Sequence, residues 1–123
     1  MSLKSSLIAA RELATERATR LVLVLGEMRE LGAASVAAHE EIGRELGATG
    51  AAALVAVAGD AERFVSFARH AGIDAVFAPD ADAALPLVRE RLRPGDVVLV
   101  KASRGVHTER IVKALIASRG EAA

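Results

Sequence analysis

The sequence predicts a single α/β domain, a three-layer α/β/α sandwich built on a mostly parallel sheet. Two observations carry that prediction. Four aliphatic runs of strand length alternate with amphipathic stretches of helical length, the pattern of successive βα units. Three of the runs are aliphatic at nearly every position rather than at every second one, as parallel strands covered on both faces require. The connections are short, with no linker, repeat or low-complexity tract. A length of 123 residues suits one domain that buries about two thirds of its unfolded surface.

The elements follow in order. Residues 5–15 space their apolar side chains as a leading helix, with no strand before it. Residues 20–25 form the first strand, and Ser35 is placed to cap a helix reaching residue 46, with Gly47 as its stop. Residues 52–57 form the second strand. Gly59-Asp60 ends it, and Asp60 is the expected N-cap of a helix over 61–71, closed by Gly72. Residues 74–78 form the third strand. Asp82 or a neighbour caps the next helix, where Pro86 is tolerable near a first turn. Arg93-Pro94-Gly95-Asp96 turns the chain into the last strand, 96–100, and residues 108–118 close it as a helix.

Composition removes several classes. Hydrophobic residues make up 52% of the chain, enough for a packed core, while aromatics are only 2%. Sixteen basic residues balance sixteen acidic ones, so neither the basic face nor the stacking platforms of a nucleic-acid binder are present. No cysteine is available for a disulfide, a thiolate metal site or a thiol nucleophile. No apolar run has bilayer-spanning length and no signal-peptide core follows Met1, so a cytoplasmic location is expected. Residues 1–3 read as a leader and 4–123 as the domain.

Two strand-to-loop segments concentrate the polar chemistry. The first is Arg20-Leu-Val-Leu-Val-Leu-Gly-Glu-Met-Arg-Glu-Leu-Gly32, the second Asp96-Val-Val-Leu-Val-Lys-Ala-Ser-Arg-Gly105. Ligands of open α/β sheets gather outside the carboxyl ends of strands. Lys101 and Arg104 supply charge-assisted donors, Arg bidentately, and Ser103 adds a hydroxyl. Gly105 permits close backbone approach, and the helix after it favours an anion. The bland alternative is a solvated basic turn. Glu27 stands directly past the first strand, where it can accept hydroxyls or hold a water or cation; its bland alternative is an ion pair with Arg29 or Arg104. A lone helical His39 is more often packing than ligand, and His70 and His107 have no partners at metal-ligand spacing.

These segments, taken together, resemble the C-terminal domain of the Mur ligase family. The resemblance rests on Leu25-Gly-Glu-Met-Arg-Glu-Leu-Gly32, then His39 with Gly43, then Gly95-Asp-Val-Val-Leu-Val-Lys-Ala-Ser-Arg-Gly105 with Glu109. It covers nearly the whole chain, in order, and is most similar to the branch that adds D-alanyl-D-alanine to UDP-N-acetylmuramoyl-tripeptide. The resemblance implies a Rossmann-like fold within a three-domain cytoplasmic enzyme of peptidoglycan synthesis. ATP and Mg²⁺ would serve the full-length enzyme, and neither would be bound stably by this fragment. The partners implied are the central ATPase and N-terminal domains, D-Ala-D-Ala and the UDP-sugar tripeptide. Lys101, Ser103 and Arg104 would bind substrate, Glu27 would face the nucleotide, and Glu30 and His39 would support its loop; no residue here is catalytic by itself.

Two positions depart from the family pattern. Its Asp after Leu-Gly is Glu27 here, one methylene longer. The Gly of its Lys-Gly-Ser is Ala102, which restricts a left-handed backbone there and leaves room for a different loop conformation. The chain has no G-x-x-x-x-G-K-[ST] phosphate loop, so the isolated fragment is expected to be inactive. The alternatives are a response-regulator-like signalling domain and a stand-alone nucleotide-binding module. The first needs an acidic pair after strand one and the second a G-x-G-x-x-G turn; neither occurs. Folylpolyglutamate and cyanophycin ligases share the architecture, but residues 25–32 favour the dipeptide-adding branch.

Overall fold

The leading helix α1 (Leu3–Glu16) begins two residues before the predicted start because Ser2 caps it, its side chain accepting the Ser5 N–H at 3.1 Å. The computed structural model describes residues 2–28 and 36–122, with side chains for all of these other than 36–39, 104 and 118–122. Leu3, Leu7, Ala10 and Ala14 form the buried stripe of α1, the spacing of a helix that covers a sheet. The helix closes without glycine: Ala18 takes φ 51° and the Thr19 N–H returns to the Ala14 carbonyl at 3.0 Å.

Four parallel strands follow: β1 (Leu21–Gly26), β2 (Ala53–Val57), β3 (Asp74–Ala78) and β4 (Val97–Lys101). Their order across the sheet is β3-β2-β1-β4. Leu23 lies opposite Leu54 on one side and Leu99 on the other. β1 and β2 are buried at every position, as their continuous aliphatic character predicts. β4 has the same composition but is half-buried throughout. It is an edge strand, and an edge position is not visible in composition.

Alternation within the strands sends side chains to two layers. Leu21, Leu23, Leu25, Leu54 and Ala56 pack with α1, α2 (Val36–Ala48) and α3 (Glu62–His70). Val24, Val55 and Val57 pack with α4 (Ala81–Arg91) and α5 (Glu109–Ala122). The three-layer α/β/α sandwich is therefore the observed fold. Helices α1 and α2 run side by side in the same direction, with Lys4 Nζ 2.6 Å from Glu41 and Arg11 Nη1 donating to the Ala48 carbonyl at 3.3 Å.

Several helix ends differ from the predicted ones. Ser35 lies outside the described residues. Helix α2 runs through Gly47 to Ala48; the left-handed residue is Gly50, at φ 63°. Buried Thr49 moves the stop, donating to the Leu46 carbonyl at 2.7 Å and accepting the Ala51 N–H at 3.2 Å. Asp60 does not cap α3. It lies inside a 3-10 turn, Gly59–Ala61, and α3 starts after it with no side-chain cap. Asp80, a neighbour of Asp82, caps α4 by accepting the Ala83 N–H at 2.8 Å. Pro86 is not in the first turn but is the sixth residue of α4, so the Asp82 carbonyl loses its helical donor. Gly72, at φ 83°, does close α3 as predicted.

The lower ends of β1 and β4 are held by a polar clamp. Asp96, its side chain 3% exposed, lies 3.4 Å from Arg20 Nε and accepts the Arg93 N–H at 2.9 Å. Arg20 also donates to the Arg91 carbonyl at 2.8 Å, and Thr19 to the Gly95 carbonyl at 2.8 Å. Gly95 has φ 89°, a turn geometry that needs glycine.

Two outcomes are expected. Asp80→Ala lowers unfolding free energy by about 1 kcal/mol, the usual value of a carboxylate N-cap, read as a shifted urea midpoint at unchanged slope. The Lys4 hydrogen bond, and then its charge, hold Glu41 below its ordinary 4.5. A lowered carboxylate stabilises above its unfolded pKa and loses that contribution as pH falls through the folded value. Glu41→Gln therefore flattens the decline in thermal midpoint below pH 4.5 and leaves the pH dependence near neutrality unchanged.

Candidate functional site

The chain steps from β1 to β2 to β3 in one direction, then returns to β4 on the other side of β1. The reversal falls between β1 and β4, and the crevice outside such a switch point is where open α/β sheets bind ligands. Both loops singled out in the sequence open there. Glu27 and Ser103 leave adjacent strand ends, and the Ser103 N–H donates to the Glu27 carbonyl at 3.0 Å. On the opposite side the Glu27 N–H donates to the Val57 carbonyl at 3.1 Å. The Glu27 backbone is thus tied to both neighbouring strands.

Close packing sets the shape of the crevice floor. A Cβ added to Gly26 would lie 2.4 Å from the Ala102 methyl and 3.0 Å from Val106. Glycine at 26 therefore lets the two loops touch. Ala102 is not among the residues with positive φ, so alanine stands there without left-handed strain. Met28 is buried with the α1–α3 core at 8% exposure and anchors the chain just past Glu27.

The predicted residues separate as follows. Lys101 is the last residue of β4, opposite Leu25, and is half-buried, as are Ser103 and Glu27. Arg104 opens a 3-10 turn, Arg104–Val106, one residue beyond Ser103; its side chain lies outside the described residues. His39 lies in the first turn of α2, and its side chain also lies outside them. Glu30 is outside the described residues altogether. Gly43, which accompanies His39 in the sequence pattern, has a packing role: a Cβ there would come within 2.6 Å of the Phe67 ring.

The sequence reading missed two features. His107 takes φ 60° and places Nδ1 3.2 Å from Glu109 Oε1 at the start of α5. The Glu109 backbone N–H, and then His107, hold the Glu109 carboxyl below its ordinary range. The His-x-Glu spacing could have suggested this pair. The second feature is the turn after β2, read from sequence as generic. Ala58 takes φ 68°, ψ 147°, a region that is almost exclusively glycine's. Gly59 follows at φ 47° against the Glu27 carboxylate. An alanine gives no sequence signal for such a conformation.

A crevice with a carboxylate, a hydroxyl and a cationic side chain at adjacent strand ends suits a polar ligand with both anionic and hydroxyl groups. A separate hollow of about 500 Å³ is lined by Glu62, Val65, Ser66, Arg69 and His70, all of α3, and includes none of the predicted residues. The signalling-domain alternative finds no support. Glu27 is the single acid at the end of β1 among the described residues, and Asp80, beyond β3, caps α4.

Comparison with known proteins settles the family. The family model for the "Mur ligase, glutamate ligase domain" matches residues 1–104. The chain belongs to this family. That match includes both crevice loops as far as Arg104. The Mur ligase domain is also similar to proteins named UDP-N-acetylmuramoyl-tripeptide–D-alanyl-D-alanine ligase. It is 38% identical over 120 residues to that of Mycobacterium bovis, covering 83% of this chain and 23% of the relative. It is 38% identical over 104 residues to the Mycobacterium leprae protein, covering 80% and 20%. The Synechocystis protein is 30% identical over 115 residues, covering 94% and 25%. The chain thus spans about a quarter or less of the length of these relatives.

Ala58 yields a stability prediction. Ala58→Gly should raise unfolding free energy by about 1 kcal/mol by removing a strained positive-φ conformation, measured as a higher denaturant midpoint. A lower midpoint would show that the turn is not strained.

Proposed function

We propose that residues 4–123 are the C-terminal domain of an ATP-dependent ligase that joins D-alanyl-D-alanine to UDP-N-acetylmuramoyl-tripeptide in the cytoplasm, for peptidoglycan synthesis. The observation that carries this reading is 38% identity across 83% of the chain to proteins of that name. The convergence of Glu27, Lys101 and Ser103 at the switch point supports it.

In this reading the γ-phosphoryl group of ATP passes to the terminal carboxylate of the tripeptide, giving an acyl phosphate and ADP. The amine of the dipeptide attacks the acyl carbon, phosphate leaves, and the nitrogen loses its proton. Lys101, Ser103 and Arg104 bind substrate, with Arg104 engaging a carboxylate or the polyanionic intermediate. Glu27 faces the nucleotide, and Glu30 and His39 support its loop. Closure of this domain over the central ATPase and N-terminal domains excludes water from an acyl phosphate that water would hydrolyse. Among the described residues no group of three His, Cys, Asp or Glu side chains could hold a metal ion. The donors for Mg²⁺ are assigned to the rest of the enzyme.

The test is phosphate release by the full-length enzyme with UDP-sugar tripeptide, ATP and Mg²⁺. D-Ala-D-Ala should support turnover and single amino acids should not; turnover with a single amino acid would place the domain in another branch. Arg104→Ala should lower kcat/KM for the dipeptide by about 10- to 100-fold, the scale of lost charge-assisted hydrogen bonds. The isolated chain should show no ATP turnover.

A further inference from the structure

We propose that Gly59 is a positioning residue for Glu27: the space left by its missing side chain is the seat that aims the Glu27 carboxylate. The inference deepens the proposed function, because it rests on Glu27 serving the nucleotide. Its basis is the geometry of the β2–α3 turn against the β1 loop.

The Glu27 backbone is tied to Val57 on one side and Ser103 on the other. Only its side-chain torsions remain to direct the carboxylate. That side chain is half-buried, and its carboxylate makes no hydrogen bond or ion pair among the described residues. Its close neighbour is Gly59. A Cβ at 59 would lie 2.7 Å from Glu27 Cδ, 2.7 Å from Oε1 and 2.8 Å from Oε2. All three carboxylate atoms therefore occupy the space that an alanine methyl at 59 would need.

The turn is bent into this contact by two successive residues at positive φ, Ala58 and Gly59. Glycine tolerates such a backbone freely and alanine does not, so the contact stands on a strained turn. The open space at Gly59 admits this rotamer, and among the described residues the oxygens have no donor, so they can accept hydrogen bonds from ligand hydroxyls. Side-chain length is matched to the seat. Glutamate reaches Gly59 across the turn, whereas aspartate, one methylene shorter, stops short of it. Glu27 and Gly59 therefore act as a pair.

A double-mutant cycle in the full-length enzyme tests the pair, with kcat, both KM values and the thermal midpoint measured for each variant. Gly59→Ala should raise KM for ATP about tenfold, the scale of one hydrogen bond to a charged group, and leave KM for the dipeptide unchanged. Glu27→Asp should weaken ATP in the same sense, and this arm needs no change at Gly59. The double variant should match Glu27→Asp alone rather than show the product of the two losses. Alanine at 59 lowers the thermal midpoint through backbone strain in both backgrounds, and no less where Glu27 is kept than in Glu27→Asp, because only the longer side chain meets the new methyl. The unchanged KM for the dipeptide separates the kinetic effect from general destabilisation. Multiplicative losses would overturn the pairing while leaving the function reading intact. So would a Gly59→Ala enzyme with wild-type KM for ATP. If Glu27→Ala leaves every kinetic parameter unchanged, the nucleotide role of Glu27 fails, and the pairing with it.

Discussion

The pairing of β1 with β4 is the constraint on which the rest depends. These strands are far apart in the chain, and their adjacency creates the reversal in strand order that opens the crevice. The pairing is secured at both ends by different chemistry. Below, buried Asp96 gathers Arg20 and the Arg93 N–H beneath the strands. Above, the Ser103 N–H meets the Glu27 carbonyl. Between them five residue pairs run in parallel register, from Leu21 opposite Val97 to Leu25 opposite Lys101. Because register is set by whole residues, the lower clamp also determines how far Lys101 rises toward the crevice.

Glycines account for much of the close approach around that crevice, each for a different reason. Gly26 allows the Ala102 methyl to sit on β1, Gly43 allows the Phe67 ring onto α2, and Gly59 allows the Glu27 carboxylate onto the β2 turn. The first and third bring the three strand ends together. The second lets α2 pack closely against α3. Residues that look like motif elements are thus partly packing elements. Ala102 shows the reverse case, a departure from the family pattern that the backbone absorbs without a left-handed conformation.

The strands were legible because burial on both faces demands an aliphatic side chain at nearly every position, and β1 and β2 meet that demand. The edge position of β4 was not legible, since Val97-Val-Leu-Val reads the same in the centre of a sheet. Helix ends were legible where local chemistry decided them, as at Gly72. They were misread where a neighbour intervened: buried Thr49 carried α2 past Gly47, and the 3-10 turn took Asp60 out of its capping position. At the site, Glu27, Lys101 and Ser103 were recognisable as polar residues ending aliphatic runs. Ala58 and Gly59 were not, because a strained backbone at alanine leaves no mark in composition or spacing.

By itself the sequence determined the layer architecture, the number of strands, the family and the two loops that carry polar chemistry. Each of these depends on local pattern: periodicity, aliphatic continuity, and residue types at fixed spacing. Only the tertiary structure decided that β4 lies beside β1, that the two loops share one crevice, and that a turn from β2 seats the Glu27 carboxylate. Those are contacts between segments distant in the chain. They follow from burying both faces of one sheet at once, a condition that no single segment carries in its own residues.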